Sequence, residues 1–346
     1  MRNSVFAVLI SFILVASCTP AQDRYVEIKG YAQGGNYSVK INLKGVNVPP
    51  EEIRDSVESF LEMIDTTLSG YNKKSILSRF NAGQKVPASR VFMDIYRRGY
   101  RLWERSGGAL DFGAALLYDA WGFGFRNSSF PTDREIAELL RTSGMDNLPA
   151  ELPVTEDGFI DPAAIGFPKL NFNAIAQGYT CDVIADYLYS IGIKDMLVDI
   201  GEIWCDGLNP NGKPWSIGVD RPVDRDSTNE NDTVSLEGIW SSDGQKAGIV
   251  TSGNYRKYYI KDGRKYAHTI DPMTGYPVSH NLLSATVVSK DNAADADAIA
   301  TWCMVVGLQS AKVLILGDPS LEGYLIYNDD RGQMMEWASP GFNVRN

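Results

Sequence analysis

Residues 251–289 read TSGNYRKYYIKDGRKYAHTIDPMTGYPVSHNLLSATVVS, and ADADAIAT follows at 294–301. Asp271-Pro272 and Thr274-Gly275 mark a tight turn at the end of a strand, with His268 just before it. The apolar, β-branched run at 284–289 reads as another strand. Helical periodicity follows at once, over 293–306 and again over 309–315. This mixture lacks the regular strand-helix alternation of a doubly wound sheet, so the expected class is α+β.

Upstream, residues 25–43 alternate polar and apolar around Gly30, Gly34 and Gly35, predicting paired strands joined by a glycine turn. From Pro50, one apolar helical face carries Ile53, Val57, Phe60, Leu61, Ile64 and Leu68, opened by a proline and two glutamates. Thr132 and Glu135 make a capping box ahead of Ile136, Leu139 and Leu140. Val183, Ile184, Leu188 and Ile191 mark a helix closed at Gly192. Apolar runs at 196–200, 215–219 and 323–328 read as further strands. No linker or repeat divides residues 25–346, which are expected to form a single domain.

The 346 residues carry 33 Lys plus Arg against 43 Asp plus Glu, a net charge of -10. That balance gives no electrostatic footprint for a nucleic-acid groove, so no nucleic-acid partner is expected. A hydrophobic content of 44% excludes a disordered chain. Cys181, Cys205 and Cys303 have no CxxC pattern, and Cys181 and Cys303 sit in apolar helical runs as core residues. Only His268 and His280 are present, which leaves oxygen ligands for a divalent cation and points to magnesium. Neither GxGxxG, GxxxxGK[ST] nor GxSxG occurs in a supporting context.

At the N-terminus, Arg2 precedes an apolar run from Val5 to Ala16, so residues 1–17 read as an export signal. Val15-Ala16-Ser17-Cys18 resembles a bacterial lipobox, which implies lipidation of Cys18 and a lipidated tether over residues 18–24. With no acidic run after Cys18, the expectation is a membrane-anchored lipoprotein facing the periplasm, in either the inner or the outer membrane.

Several residues carry candidate chemistry. Asp297 and Thr301 are four apart, so a helix presents both oxygens on one face. Equally, Asp297 could complement the helix dipole while Thr301 bonds back to the backbone. His268 suits general-base work or a structural role at a strand end. Ser252-Gly253 with Tyr255 and Arg256 could receive an anion or form an ordinary turn. Asp111, among glycines, could hydrogen-bond a heterocycle or cap a helix starting near Gly113. Tyr71, Trp121 and Phe123 could stack on a flat ring or belong to the core.

Order and spacing join these signals. Tyr71 to Asn81 (YNKKSILSRFN), Gly108 to Gly124 (GALDFGAALLYDAWGFG), Ala176 to Asp182 (AQGYTCD), Thr251 to Arg256 (TSGNYR), His268 to Pro277 (HTIDPMTGYP) and Ala296 to Thr301 (ADAIAT) run in one series. Together they resemble the FAD:protein FMN transferase family, also called ApbE. The resemblance implies a two-lobed α+β fold, related to the T-fold, with mixed or antiparallel sheets flanked by helices and FAD in a cleft between the lobes. It implies magnesium-dependent transfer of FMN from FAD to a Thr or Ser hydroxyl of a partner flavoprotein, releasing AMP, with manganese as an alternative ion. It also implies metal ligands at Asp297, Thr301 and the Ala174 carbonyl, with His268 assisting proton removal. Flavin and adenine contacts fall near Gln33, Tyr71, Ala109, Leu110, Asp111, Asn171, Gln177 and Ile270. The exposed start of the helix after Ala176 is expected to help cradle the pyrophosphate.

Gln33 and Gly35 replace the family's usual Met and Thr, Asn171 a common Asp, Gln177 a common Lys, Gly113 a frequent Thr and Glu202 a frequent Gly. Two other functions use the same residues: a magnesium-dependent FAD pyrophosphatase with water as nucleophile, and a non-catalytic FAD-binding lipoprotein. The acceptor expected for the transferase is a respiratory electron-transfer subunit.

Overall fold

The computed structural model describes residues 24–124, 130–222, 236–254, 258–261 and 264–345. Residues 1–17, read above as an export signal, and Cys18 lie outside these residues, as do Tyr255 and Arg256.

Strands β1 (Tyr25–Ala32) and β2 (Gly35–Asn42) form the expected hairpin. Its two-residue turn, Gln33 and Gly34, has φ of 50° and 85°, the left-handed pair that a tight hairpin requires. Helix α1 (Pro50–Leu68) buries Ile53, Val57, Leu61, Ile64 and Leu68 as its periodicity demands. Then come α2 (Ile76–Asn81), β3 (Val86–Pro87), α3 (Arg90–Arg105), α4 (Ala115–Ala120), α5 (Asp133–Thr142) and β4 (Phe159–Ile160). The Thr132–Glu135 capping box opens α5, with both of its reciprocal bonds present. Helix α6 (Ala176–Ser190) leads through Gly192, at φ 91°, into β5 (Met196–Asp199) and β6 (Ile203–Asp206). Strands β7 (Ser216–Asp220), β8 (Leu236–Ser241), β9 (Ala247–Gly253), β10 (Tyr258–Lys261), β11 (Arg264–Ala267) and β12 (Leu282–Ser289) follow. The chain ends with α7 (Ala293–Leu316), β13 (Leu321–Asn328), β14 (Met334–Ala338) and β15 (Val344–Arg345). Helix α7 breaks at Gly307, φ 75° and ψ 177°, between the two helices expected from the sequence. His280 Nε2 sits 2.9 Å from the Met304 carbonyl there.

The main sheet has eight antiparallel strands in the order β1-β2-β5-β6-β9-β12-β13-β14. Successive side chains point to opposite faces, so alternate residues enter different cores. Val250, Val287 and Leu325 pack with Ile299, Cys303 and Ala311 of α7. Their neighbours Ile249, Val288, Tyr324 and Ile326 pack with Trp215, Trp240 and Phe342 beneath the three-stranded sheet β15-β8-β7. Both faces being covered explains why these strands read as nearly unbroken apolar runs. Helix α7 is long and apolar enough to cross a membrane. Its packing against β9, β12 and β13 accounts for that composition as the core helix of the sheet.

A second body surrounds α2 and α3, where Phe80, Phe92, Phe112 and Phe172 meet. Tyr179 of α6 and Ala294 and Ala298 of α7 also enter this core, so the same two helices serve both bodies. A smaller cluster joins Trp121, α4 and α5 to Ile270. Cys181, Cys205 and Cys303 are buried and form no disulfide.

Candidate functional site

Helix α7 is approached at Ala293 by α6 and by β9, each through a glycine that lets the backbones touch. A Cβ added to Gly178 would fall 2.7 Å from the Ala293 carbonyl carbon, and one on Gly248 would fall 2.5 Å from Ala293 Cα. Only glycine permits this approach on both sides. At the crossing, the Gly178 N–H donates to Asp297 Oδ2 at 3.0 Å. In an undisturbed helix that N–H would point toward the carbonyl four residues earlier, which belongs to Ala174. The Ala174 carbonyl and Asp297 Oδ1 have no hydrogen-bond partner among the described residues.

Asp297 is 5% exposed. Burial raises its carboxyl well above the ordinary range, the Gly178 N–H pulls it down, and the nearby Asp182 charge raises it again. Thr301, one turn further along α7, does not bond back to its own helix. Its hydroxyl instead faces Ser252 Oγ on β9 at 3.4 Å. The donor set of one carboxylate, a hydroxyl and a free carbonyl consists entirely of hard oxygens, and it fits magnesium or manganese. No group of three or more His, Cys, Asp or Glu side chains suited to a metal occurs among the described residues. A cation here would therefore rely on one protein charge together with neutral oxygens and its other ligands.

The start of α6 is less open than the sequence suggests. Its Gly178 N–H is taken by Asp297, the Ala176 N–H is bonded to the Phe172 carbonyl, and Gly178 itself is buried. The expected exposed phosphate-binding helix end is thereby narrowed, because a tertiary contact takes the Gly178 donor and a local bond takes that of Ala176. Gln177 remains partly accessible, with Nε2 donating to the Ile200 carbonyl at 3.1 Å. Gln33 reaches α6 from the β1–β2 turn and donates to Thr180 Oγ1 at 2.6 Å. It also lines a cavity of about 440 Å³ with Tyr31, Tyr37, Glu58 and Asp65.

Asp111 does not cap α4, whose N-cap is Ala114 without a side-chain bond. Its Oδ1 accepts from the Gly113 N–H at 2.8 Å and the Met145 N–H at 3.0 Å, fastening two loops. Burial pushes its carboxyl up to about 6 despite those donors. Asn171 adjoins the same loop, its N–H bonded to the Phe112 carbonyl at 2.8 Å. Ala109, Leu110 and Ile270 are buried, whereas Tyr71 is 66% exposed. Trp121 belongs to the core, its indole N–H donating to the Gly275 carbonyl at 2.8 Å.

His268 is half-buried and meets the Phe123 ring edge-on at 6.3 Å. Next to it, the Thr269 hydroxyl donates to Asn254 Oδ1 at 2.6 Å. Asn254 lies two residues beyond Ser252, so the end of β9 contacts both Thr269, next to His268, and Thr301.

Two contacts were not foreseen. Asn81 closes the SRFN motif and holds Leu170 by both backbone groups: its Nδ2 donates to the Leu170 carbonyl and its Oδ1 accepts the Leu170 N–H, each at 2.8 Å. Asp182, the last residue of the AQGYTCD motif, accepts the Ala293 and Ala294 N–H groups at the start of α7. Its spacing of four from Gly178 was the available signal.

Fold and site define an α+β protein that presents hard oxygen donors where two helices cross on one face of an antiparallel sheet. The ApbE family matches residues 33–325, and the chain belongs to that family. It is 32% identical over 349 residues to the FAD:protein FMN transferase of Vibrio cholerae, covering 99% of this chain and 98% of that protein. The Escherichia coli FAD:protein FMN transferase is 30% identical over 301 residues, covering 84% and 81%. Among solved structures, the flavin transferase ApbE from Vibrio cholerae superposes with a TM-score of 0.75 at 29% identity, covering 92% of this chain and 98% of that one. The apo flavinyl transferase ApbE of Pseudomonas stutzeri gives 0.76 at 29% identity, covering 92% and 96%.

Proposed function

We propose that this protein is an FAD:protein FMN transferase that moves FMN from FAD to a Thr or Ser hydroxyl of a partner flavoprotein and releases AMP. The observation that carries this reading is the α6–α7 crossing, where one Asp297 oxygen and the Ala174 carbonyl have no hydrogen-bond partner among the described residues and the Thr301 hydroxyl stands one helical turn along α7. The full-length similarity to proteins named for the same reaction supports it.

Asp297, Thr301 and Ala174 would hold magnesium, which when bound supplies positive charge to phosphate oxygens in a chain that is itself strongly acidic. In the transfer, the acceptor hydroxyl oxygen forms a bond to the FMN phosphorus and the phosphoanhydride bond to AMP breaks. His268 takes the hydroxyl proton, a contribution typically worth about a hundredfold to ten-thousandfold. Gln33, in the β1–β2 turn, and Gln177, in the first turn of α6, orient the dinucleotide. Asp111 and Asn171 shape its flavin side through the loops they fasten.

The same reading assigns a lipid to Cys18 and faces the domain toward the periplasm. It makes the acceptor a respiratory electron-transfer subunit. Product analysis with FAD, magnesium and an acceptor flavoprotein tests the function. The expected outcome is flavin covalently attached to the acceptor plus AMP, abolished by a chelator. Free FMN plus AMP would replace the transferase with a pyrophosphatase, and unchanged FAD would leave only a binding protein.

A further inference from the structure

Helices α6 and α7 cap each other. The Gly178 N–H of α6 donates to Asp297 of α7, and the Ala293 and Ala294 N–H groups of α7 donate to Asp182 of α6, at 2.7 and 3.0 Å. In each helix the donor and the carboxylate are four residues apart, so the pairing is reciprocal. Behind Asp182 stands Arg98 of α3. Its Nη1 lies 3.9 Å from Asp182 Oδ2 and 3.8 Å from Asp295 Oδ1, and it donates to Asn292 Oδ1 at 3.0 Å. Asn292 is the N-cap of α7 and accepts the Asp295 N–H at 2.7 Å. Three of the four amide donors at the start of α7 are thereby satisfied.

We infer that Asp182, backed by Arg98, is the positioning residue that sets the metal ligands Asp297 and Thr301. Asp297 is one turn along α7 from Ala293 and Thr301 one turn further, on one rigid helix. The Ala174 carbonyl, by contrast, sits on the segment leading into α6. The spacing between these donors is therefore the spacing between the two helices. Gly178 and Gly248 fix how closely α7 can approach, and Asp182 fixes its position along its axis. Both Asp182 oxygens accept backbone amides of α7, which makes its role that of positioning the helix. The inference rests on the metal reading proposed above.

The test is manganese binding to the FAD-free, full-length mature chain, followed by electron paramagnetic resonance, with flavin binding measured separately. Asn in place of Asp182 offers one acceptor oxygen for two amides. The Asp182→Asn variant is expected to raise the Mn²⁺ dissociation constant about tenfold to a hundredfold. FAD affinity without metal should stay at the parent value, and kcat should recover at saturating magnesium. Arg98→Gln keeps a donor for Asn292 but removes the charge, and it is expected to weaken Mn²⁺ binding in the same direction by a smaller factor. If Asp182→Asn does not unfold cooperatively, Arg98→Gln decides the question.

Variants that melt earlier yet bind Mn²⁺ as tightly as the parent would reduce Asp182 to a structural cap and overturn the inference. A parent that takes up no Mn²⁺ would overturn the metal reading, and this inference with it.

Discussion

Gly178 and Asp297 lie 119 residues apart, and one hydrogen bond of 3.0 Å between them joins the start of α6 to the first turns of α7. The bond diverts a helix amide away from the Ala174 carbonyl and turns one carboxylate oxygen toward protein, leaving the other for a ligand. The site exists because two helix ends meet, and its chemistry depends on how closely they do so.

Adding a methyl group at position 178 tests that closeness. The Gly178→Ala side chain would press into the Ala293 carbonyl and the Ala294 Cα, both backbone and unable to swing aside. A loss of about 1–3 kcal/mol is expected from such overpacking. Urea denaturation checks the stability, and an unchanged midpoint would show that α7 can yield.

Removing the carboxylate at the crossing should cost more activity than removing the imidazole at the strand end. Asp297→Ala is expected to fall below His268→Ala, which itself loses about a hundredfold to ten-thousandfold. Turnover is measured with saturating FAD and magnesium. Equal rates for the two variants would separate Asp297 from the metal.

The Asp111 carboxyl gives the loops around it a pH dependence. Its folded value is pushed up to about 6 from 3.8, mainly by burial. A carboxyl raised on folding stabilises the fold fully below its unfolded value and loses that contribution as the pH climbs through its folded one. The melting temperature of the parent minus that of Asp111→Asn should therefore shrink between about pH 4 and about pH 6, then stay level. A difference that grows over that interval would reverse the assignment.

Asn81 should matter for stability although it touches no proposed substrate atom. Replacing it with Ala leaves the N–H and carbonyl of Leu170, a buried residue, without their partners. An uncompensated buried polar group costs about 1–3 kcal/mol. Thermal or urea unfolding of Asn81→Ala measures the loss, and full stability would show that Leu170 finds other donors and acceptors.

The local elements were legible wherever one short-range rule governed them. Proline and two glutamates opened α1, the Thr132–Glu135 box opened α5, and glycines marked the β1–β2 turn and the end of α6. Residue order alone also carried the family resemblance, because six motifs in series constrain one another. For single residues, local reading left choices that packing resolved. Trp121 could stack on a ligand or enter the core, and the bond to Gly275 places it in the core. Thr301 could bond to its own helix, and β9 offers Ser252 in its place.

The sequence by itself determined the elements, the α+β class and the presence of an aspartate and a threonine one helical turn apart, because such features depend on neighbours within a few residues. Only the tertiary structure decided that Asp297 caps the start of α6 and that Asp182 caps α7. Those outcomes hang on hydrogen bonds spanning more than a hundred residues, whose partners meet only once the sheet has brought both helices onto one face.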